Sequence, residues 1–529
     1  MYRPVVMGTH GMVASAHPLA SLAGINILKR GGNAIDAAIA TNAVLNVTQP
    51  HMCGIGGDLF YLIYLARTGE IVFLNGSGRA PRKISLEFFQ DQKMKQIPPR
   101  SAYAITVPGC FAAWEDAWER YGSLPLAELL AEAITYAEGH PVSHKLAWYI
   151  ARYREVLAPH PETAAIFLPG GQPPQPGDIL CQRDLAATFR LLAQEGKKAF
   201  YQGPIAEAIT TTVQREGGFL TMEDLVGHTS TWGRPVATTY RGYTIYQTAP
   251  NSQGITALLG FNIIEGLDLQ NMGLDSDVYI HHLVEAKKLA FADRDTYISD
   301  PEFVPIPVER LLSKDYAARL RRLIDPEQVI EISSAGRLQG DTTYFAVVDR
   351  EGNIVSCIQS IYFPFGSGLV ARGTGILLQN RGAYFSLDPG HPNCLAPGKR
   401  TLHTLMASII MKEGRPCLVF GTMGADGQPQ IHLQAISRIL DFGWNIQEAI
   451  EAPRWIHGSI LGDSSPCLYL ENRFDPKVIE GLRQRGHKVE LLPDWSSEAG
   501  HAQGIVIDHS RGVLMGGADP RGDGYALGW

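Results

Sequence analysis

The stretch "LQGDTTYFAVVDREGNIVSCIQS", Leu338 to Ser360, places a carboxylate and two threonines at the mouth of a strand. "TTYFAVV" and "NIVSCIQS" are apolar, β-rich runs. They are joined by Asp349-Arg350-Glu351-Gly352, a set of turn-forming residues, so the stretch reads as an antiparallel hairpin. Folded about Glu351, it pairs residues whose numbers sum to 702. Val348 then faces Ile354, and Thr342 faces Ser360. The pairing gathers hydroxyls and a carboxylate at one strand end, a candidate nucleophile site.

An internal threonine hydroxyl is a poor nucleophile unless a base removes its proton. No histidine lies near Thr342 in sequence. Breaking the Asp341–Thr342 peptide bond would give Thr342 a free α-amine. The reference pKa of that group, about 7.7–8.0, suits general-base work near neutrality. The same hydroxyl can make the break by attacking the Asp341 carbonyl and passing through an ester. Taken alone, Asp-Thr-Thr is more often a turn followed by a strand, so the surrounding chain has to decide.

The composition of the 529 residues is that of a globular protein, 45% hydrophobic and 19% charged. A net charge of −7 gives no general affinity for nucleic acid or anionic membrane. The start of the chain lacks the apolar core of a secretory signal, and no stretch has the apolar length of a membrane span. The expectation is a soluble, cytoplasmic protein. Its seven cysteines are scattered and without CxxC spacing, which suits reduced thiols. The 16 histidines form no HExxH or Cys/His array, so neither metal nor cofactor is expected.

Along the chain, Gly31-Gly32 stops one helix and Asn33 caps the next, the alanine-rich "AIDAAIATNAVLNV". Its small residues suit a buried helix. Gly54, Gly56 and Gly57 precede two strand-like runs but lack the GK[ST] ending of a phosphate loop. Helical patterns dominate from about Gly109 to Gln328, and short strands dominate after Asp341. Stacked helix and sheet layers are the architecture this suggests.

Ten fragments, in order, resemble the γ-glutamyltransferase family of N-terminal nucleophile hydrolases. They are "GGNAIDAAIA", "GIGGDLF", "VPG", "FYQGPIA", "EAKKLAFADRDTYISDP", "GDTTYFAVVD", "FGSG", "GILLQN", "PGKR" and "DPRGDGYALG". The resemblance implies an α+β fold, the four-layer αββα sandwich. It implies autocleavage between Asp341 and Thr342 into a large fragment, 1–341, and a small one, 342–529, which stay together as a heterodimer in one shared body. Thr342 would be nucleophile and base, Thr343 and Ser360 supporting hydroxyls, and the N–H groups of Gly424 and Ala425 an oxyanion hole. The family has two glycines there, so Ala425 is a departure.

The substrate positions depart further. Tyr384 stands where an Asp commonly holds an ammonium, Arg381 replaces a Gln, and Tyr362 replaces an Asn. His403 and Thr404 replace a pair of serines. Ser77 stands where an arginine grips the substrate α-carboxylate, and Arg79 is two residues away. The segment from Phe385 to His403 is short, so a lid loop is missing. The ammonium's partner has gone and a carboxylate-binding cation has arrived. These changes suit a short acid without an amino group, as in the related oxamate amidohydrolases of purine catabolism, which give oxalate and ammonia. The alternatives are a γ-glutamyl hydrolase or transferase acting on glutathione-type amides, with Arg79 on the carboxylate, and an uncleaved, inactive scaffold.

Overall fold

The computed structural model describes residues 2–332, 340–459 and 466–529; Leu338 and Gln339 of the opening stretch lie outside them. Two seven-stranded sheets form the centre. The first runs in the order Tyr525–Gly528, Met12–Ser15, Asp341–Val348, Ile354–Tyr362, Asp58–Leu65, Glu70–Gly76, Thr231–Gly233. The second runs Val6–Gly8, Val513–Ala518, Ala502–Asp508, Arg415–Thr422, Ser408–Lys412, Tyr243–Gln247, Val236–Tyr240. Each sheet combines strands from both sides of position 341.

Alternation along the central strand explains the layering. Tyr344, Ala346 and Val348 point into an apolar core between the sheets, with Phe60, Ile409, Val419 and Ile505. Phe345 and Val347 point the other way, into a core shared with the helices Pro18–Lys29, Ala34–Thr48 and Cys110–Tyr121. A third core joins the second sheet to the helices Gly254–Ile264, Asp277–Tyr297 and Gln428–Leu440. Three cores separate four layers, an αββα sandwich. A strand buried on both faces has no need of polar alternation, which is why "TTYFAVV" is nearly continuous in apolar residues.

Local signals act as the sequence suggests. Asn33 accepts from the N–H groups of Ile35 and Asp36, and Asp36 returns a bond to the Asn33 N–H. Every residue of Ala34–Thr48 is buried, and its small side chains allow that. The sheets also approach closely: a Cβ on Gly421 would lie 2.2 Å from the Tyr344 ring. Among the described residues, no helix is long and apolar enough to cross a membrane.

Candidate active site

The hairpin register follows the 702 rule from Val348 opposite Ile354 to Thr343 opposite Gln359. It then slips, and Asp341 pairs with Tyr362. Thr342 therefore sits in a bulge, the device that re-aims a side chain at a strand end. Its hydroxyl donates to the Asp341 carbonyl at 2.7 Å. Ser360 donates to the same carbonyl oxygen, also at 2.7 Å. Two hydroxyls thus polarise the peptide carbonyl immediately before Thr342. The Thr343 hydroxyl turns away and donates to Gln49 Oε1 at 3.3 Å.

Facing this bulge is the turn that follows the strand Arg415–Thr422. Gly424 has φ 127° and Ala425 φ 48°. Ala425 thus holds a left-handed backbone that a glycine would adopt without the Cβ penalty of roughly 1 kcal/mol. Neither N–H donates to an acceptor among the described residues. Gln253 fixes the turn, donating to the carbonyls of Ala425 at 3.0 Å and Thr404 at 2.7 Å. Arg294 in turn donates to Gln253 Oε1 at 3.0 Å and pairs with Asp426 at 2.9 Å.

Arg381 lies beside Ser360. Its side chain is buried, with 1% of the residue exposed. It donates to Thr404 Oγ1 at 3.0 Å and to Ser360 Oγ at 3.4 Å, and lies 4.1 Å over the Tyr362 ring. Among the described residues it forms no ion pair. Burial holds the guanidinium below the usual arginine range, with Tyr362 and Asp58 opposing. An arginine side chain nevertheless stays protonated. A buried cation whose direct contacts are two hydroxyls and a ring face, with the Asp58 and Asp426 carboxylates near but not paired to it, is a place for a ligand's carboxylate.

The other substituted positions are built into the walls. The Tyr384 hydroxyl donates to Asp426 at 2.9 Å, so its bulk and its hydrogen bond both occupy the region of a carboxylate already paired with Arg294. His403 Nε2 meets Asp58 Oδ2 at 2.9 Å, while its Nδ1 accepts from the Leu405 N–H. That fixes an Nε2–H tautomer. Burial, then Arg381, pushes the His403 pKa down to about 4, against the pull of Asp58. Arg79 is partly exposed and pairs with Glu302 at 2.6 Å.

The structure thus gathers Thr342, Ser360, Arg381, Thr404 and Tyr362 through direct contacts. It supports them with Asp58, Gln253, Arg294 and Asp426, none of which sequence reasoning singled out. The signals were there: Asp58 stands in "GIGGDLF" and Arg294 in "FADRD", both matched fragments. Elsewhere His281, Glu285 and His487 bring ligand atoms within 4.8 Å of one another. Their atoms are engaged already: His281 Nδ1 with His487 Nε2 at 2.9 Å, and Glu285 with Lys288 at 2.7 Å and the Ile330 N–H at 2.9 Å.

Comparison with known proteins agrees with this architecture. The family model for gamma-glutamyltranspeptidase matches residues 20–529. A glutathione hydrolase-like YwrD proenzyme of Bacillus subtilis is 45% identical, over 99% of both chains. An oxamate amidohydrolase proenzyme of Klebsiella pneumoniae is 40% identical, again over 99% of both. The crystal structure of cephalosporin acylase from Bacillus halodurans superposes with a TM-score of 0.92 at 40% identity, covering 100% of this chain and 97% of that one. On a match of this length, the chain belongs to the gamma-glutamyltranspeptidase family and is an amide-bond hydrolase.

Proposed function

We propose that the chain cuts itself between Asp341 and Thr342, and that the new N-terminal threonine hydrolyses the amide of a short carboxylate, with oxamate and its N-substituted relatives as the best fit. Buried Arg381, without a carboxylate partner among the described residues and 3.4 Å from Ser360 Oγ, is the observation that carries the substrate reading. Two relatives lend support: both are proenzymes, and one is an oxamate amidohydrolase.

In the first step the Thr342 Oγ attacks the Asp341 carbonyl carbon. The Oγ–C bond forms, the C–N bond breaks, and the hydroxyl proton ends on the departing nitrogen. Water then splits the ester, freeing Thr342 with an α-amine and the large fragment with a new carboxylate. The same atoms serve catalysis. The amine takes the hydroxyl proton and Oγ bonds to the amide carbonyl carbon. The N–H groups of Gly424 and Ala425 receive the oxyanion. The proton passes to the leaving nitrogen, the C–N bond breaks, and water releases the acid from the ester. Arg381 holds the acid's other carboxylate by two parallel hydrogen bonds.

The amine works only when unprotonated, so the rate rises as pH climbs through its pKa. Arg381, a nearby cation, disfavours protonation and should set that pKa below the reference of about 7.7–8.0. His403, down at about 4, contributes no second limb near neutrality. A kcat/KM profile between pH 5 and 9 should show one ascending limb. A descending limb starting below pH 8 would assign a protonated group to the chemistry instead.

The competing reading, a γ-glutamyl hydrolase, has the 45% relative's name in its favour. It needs an anion for the substrate ammonium and Arg79 for the carboxylate. Asp426 is engaged by Arg294 and Tyr384, and Arg79 by Glu302. Incubating purified protein with oxamate and, separately, with a γ-glutamyl anilide decides between them. Ammonia from the first and no chromophore from the second is the expected result; chromophore alone overturns the reading.

A further inference from the structure

From a second binding region, beside the bond before Thr342 and distinct from that of Arg381, we infer that the amine released in this reaction is a flat one carrying its own carboxylate, held by Arg152 and Arg100. This rests on the small-acid reading above and deepens it, because it concerns the leaving half of the same substrate.

The region is a cavity of about 330 Å³. Gly340 and Asp341 form one wall, and Met423 and Gly424, where the oxyanion turn begins, form another. It therefore opens on the scissile bond. Arg381 is not among its lining residues, so the two cationic regions are distinct. Ammonia, the leaving group of a primary amide, occupies a water-sized volume of about 30 Å³. A cavity some ten times larger suits a substituted amine.

Its walls state the chemistry of the occupant. Tyr149 and Tyr153 lie nearly parallel, 10° apart with centroids at 6.2 Å, and Trp148 stands at 90° to Tyr149. Such faces accept a planar ring. Two guanidinium groups lie among them: Arg152 is 5.0 Å from the Trp148 ring, and Arg100 is 5.7 Å from Tyr153 and 5.6 Å from Phe363. Arg100 is anchored to the Pro364 carbonyl at 2.7 Å and to that of Gly366. Arg152 is exposed and forms no ion pair among the described residues.

The uncut chain lodges a carboxyl of its own here. Asp341 lines the cavity, is buried, and leaves Oδ2 without a hydrogen-bond partner among the described residues. Once the bond before Thr342 is broken, Asp341 carries a second carboxylate. Glu498 lines the same cavity, so departure of that end relieves like-charge repulsion. Two arginines then face one glutamate, an excess of one positive charge beside aromatic walls.

Three oxalyl amides test this: oxamate, 4-carbamoyloxanilate and 4-carboxyoxanilate, the last two nearly isosteric and differing in charge. Released ammonia or arylamine is measured for each with the self-cleaved enzyme and with Arg152→Gln. The expected wild-type order in kcat/KM is carboxy over carbamoyl by about two- to fivefold, the effect of one exposed ion pair, with both above oxamate. In Arg152→Gln the carboxy-to-carbamoyl ratio falls to near one. A ratio unchanged by the substitution, or oxamate turned over better than both anilides, overturns this inference and leaves the small-acid reading standing. Turnover of none of the three overturns both.

Discussion

Thr342→Ala leaves a single uncut chain on a denaturing gel and lowers amide hydrolysis by roughly 10⁴-fold or more, the scale seen when a covalent nucleophile is removed. The reason is local. The Asp341 carbonyl accepts bonds from two hydroxyls, and only that of Thr342 belongs to the residue whose amide nitrogen must depart. Attack by Thr342 closes a five-membered ring, whereas attack by Ser360 would have to cross the hairpin. Thr343 offers no substitute, since its hydroxyl is turned to Gln49. Thr342→Ser keeps a hydroxyl on the same atom path and should still produce two bands, the smaller beginning Ser-Thr-Tyr-Phe. Two bands from the alanine variant would remove Thr342 from the mechanism. The alanine should fold, because the strand it starts is held by Tyr344, Ala346 and Val348 on one face and Phe345 and Val347 on the other.

That strand also shows what a sequence can and cannot reveal. Its pairing was legible because turn residues and apolar runs fix a register to within a residue, and the register holds from Val348 to Thr343. The slip that follows was not. A bulge depends on what packs against the strand end, here a Tyr362 backbone at φ 78° and a turn some eighty residues further on. The four layers were legible through the family resemblance and, more weakly, through a helix-rich first part followed by a strand-rich second part. Pocket residues were legible as differences but not as directions. Tyr384 reads as bulk in a sequence, whereas the structure gives its hydroxyl to Asp426. His403 reads as a substrate contact, whereas its two ring nitrogens meet Asp58 and the Leu405 N–H. Arg79 reads as a substitute for an arginine two residues away, yet Glu302 engages it. Each outcome rests on a partner distant in sequence, which no local pattern encodes.

Arg381→Met should weaken the enzyme and strengthen the fold. The free protein buries this guanidinium with hydroxyls from Thr404 and Ser360 and the face of Tyr362 as company, but no ion-pair partner among the described residues. Burying a cation costs several kcal/mol that hydroxyls and a ring repay only in part. A substrate carboxylate supplies the missing charge, and truncating one member of a buried, hydrogen-bonded charge pair typically costs 2–5 kcal/mol. The variant's kcat/KM for oxamate should therefore fall by about 10²–10³-fold. Methionine is apolar, unbranched and able to adapt to the space, so Tm should rise by a few degrees, as when active-site charge is exchanged for stability. Adding oxalate, the product, should raise the Tm of the wild type and leave that of the variant unmoved. The combination is diagnostic. A cation serving only to brace Thr404 and Ser360 would, when removed, lower Tm and leave the oxalate shift intact, and that pair of results would take the substrate's carboxylate away from Arg381.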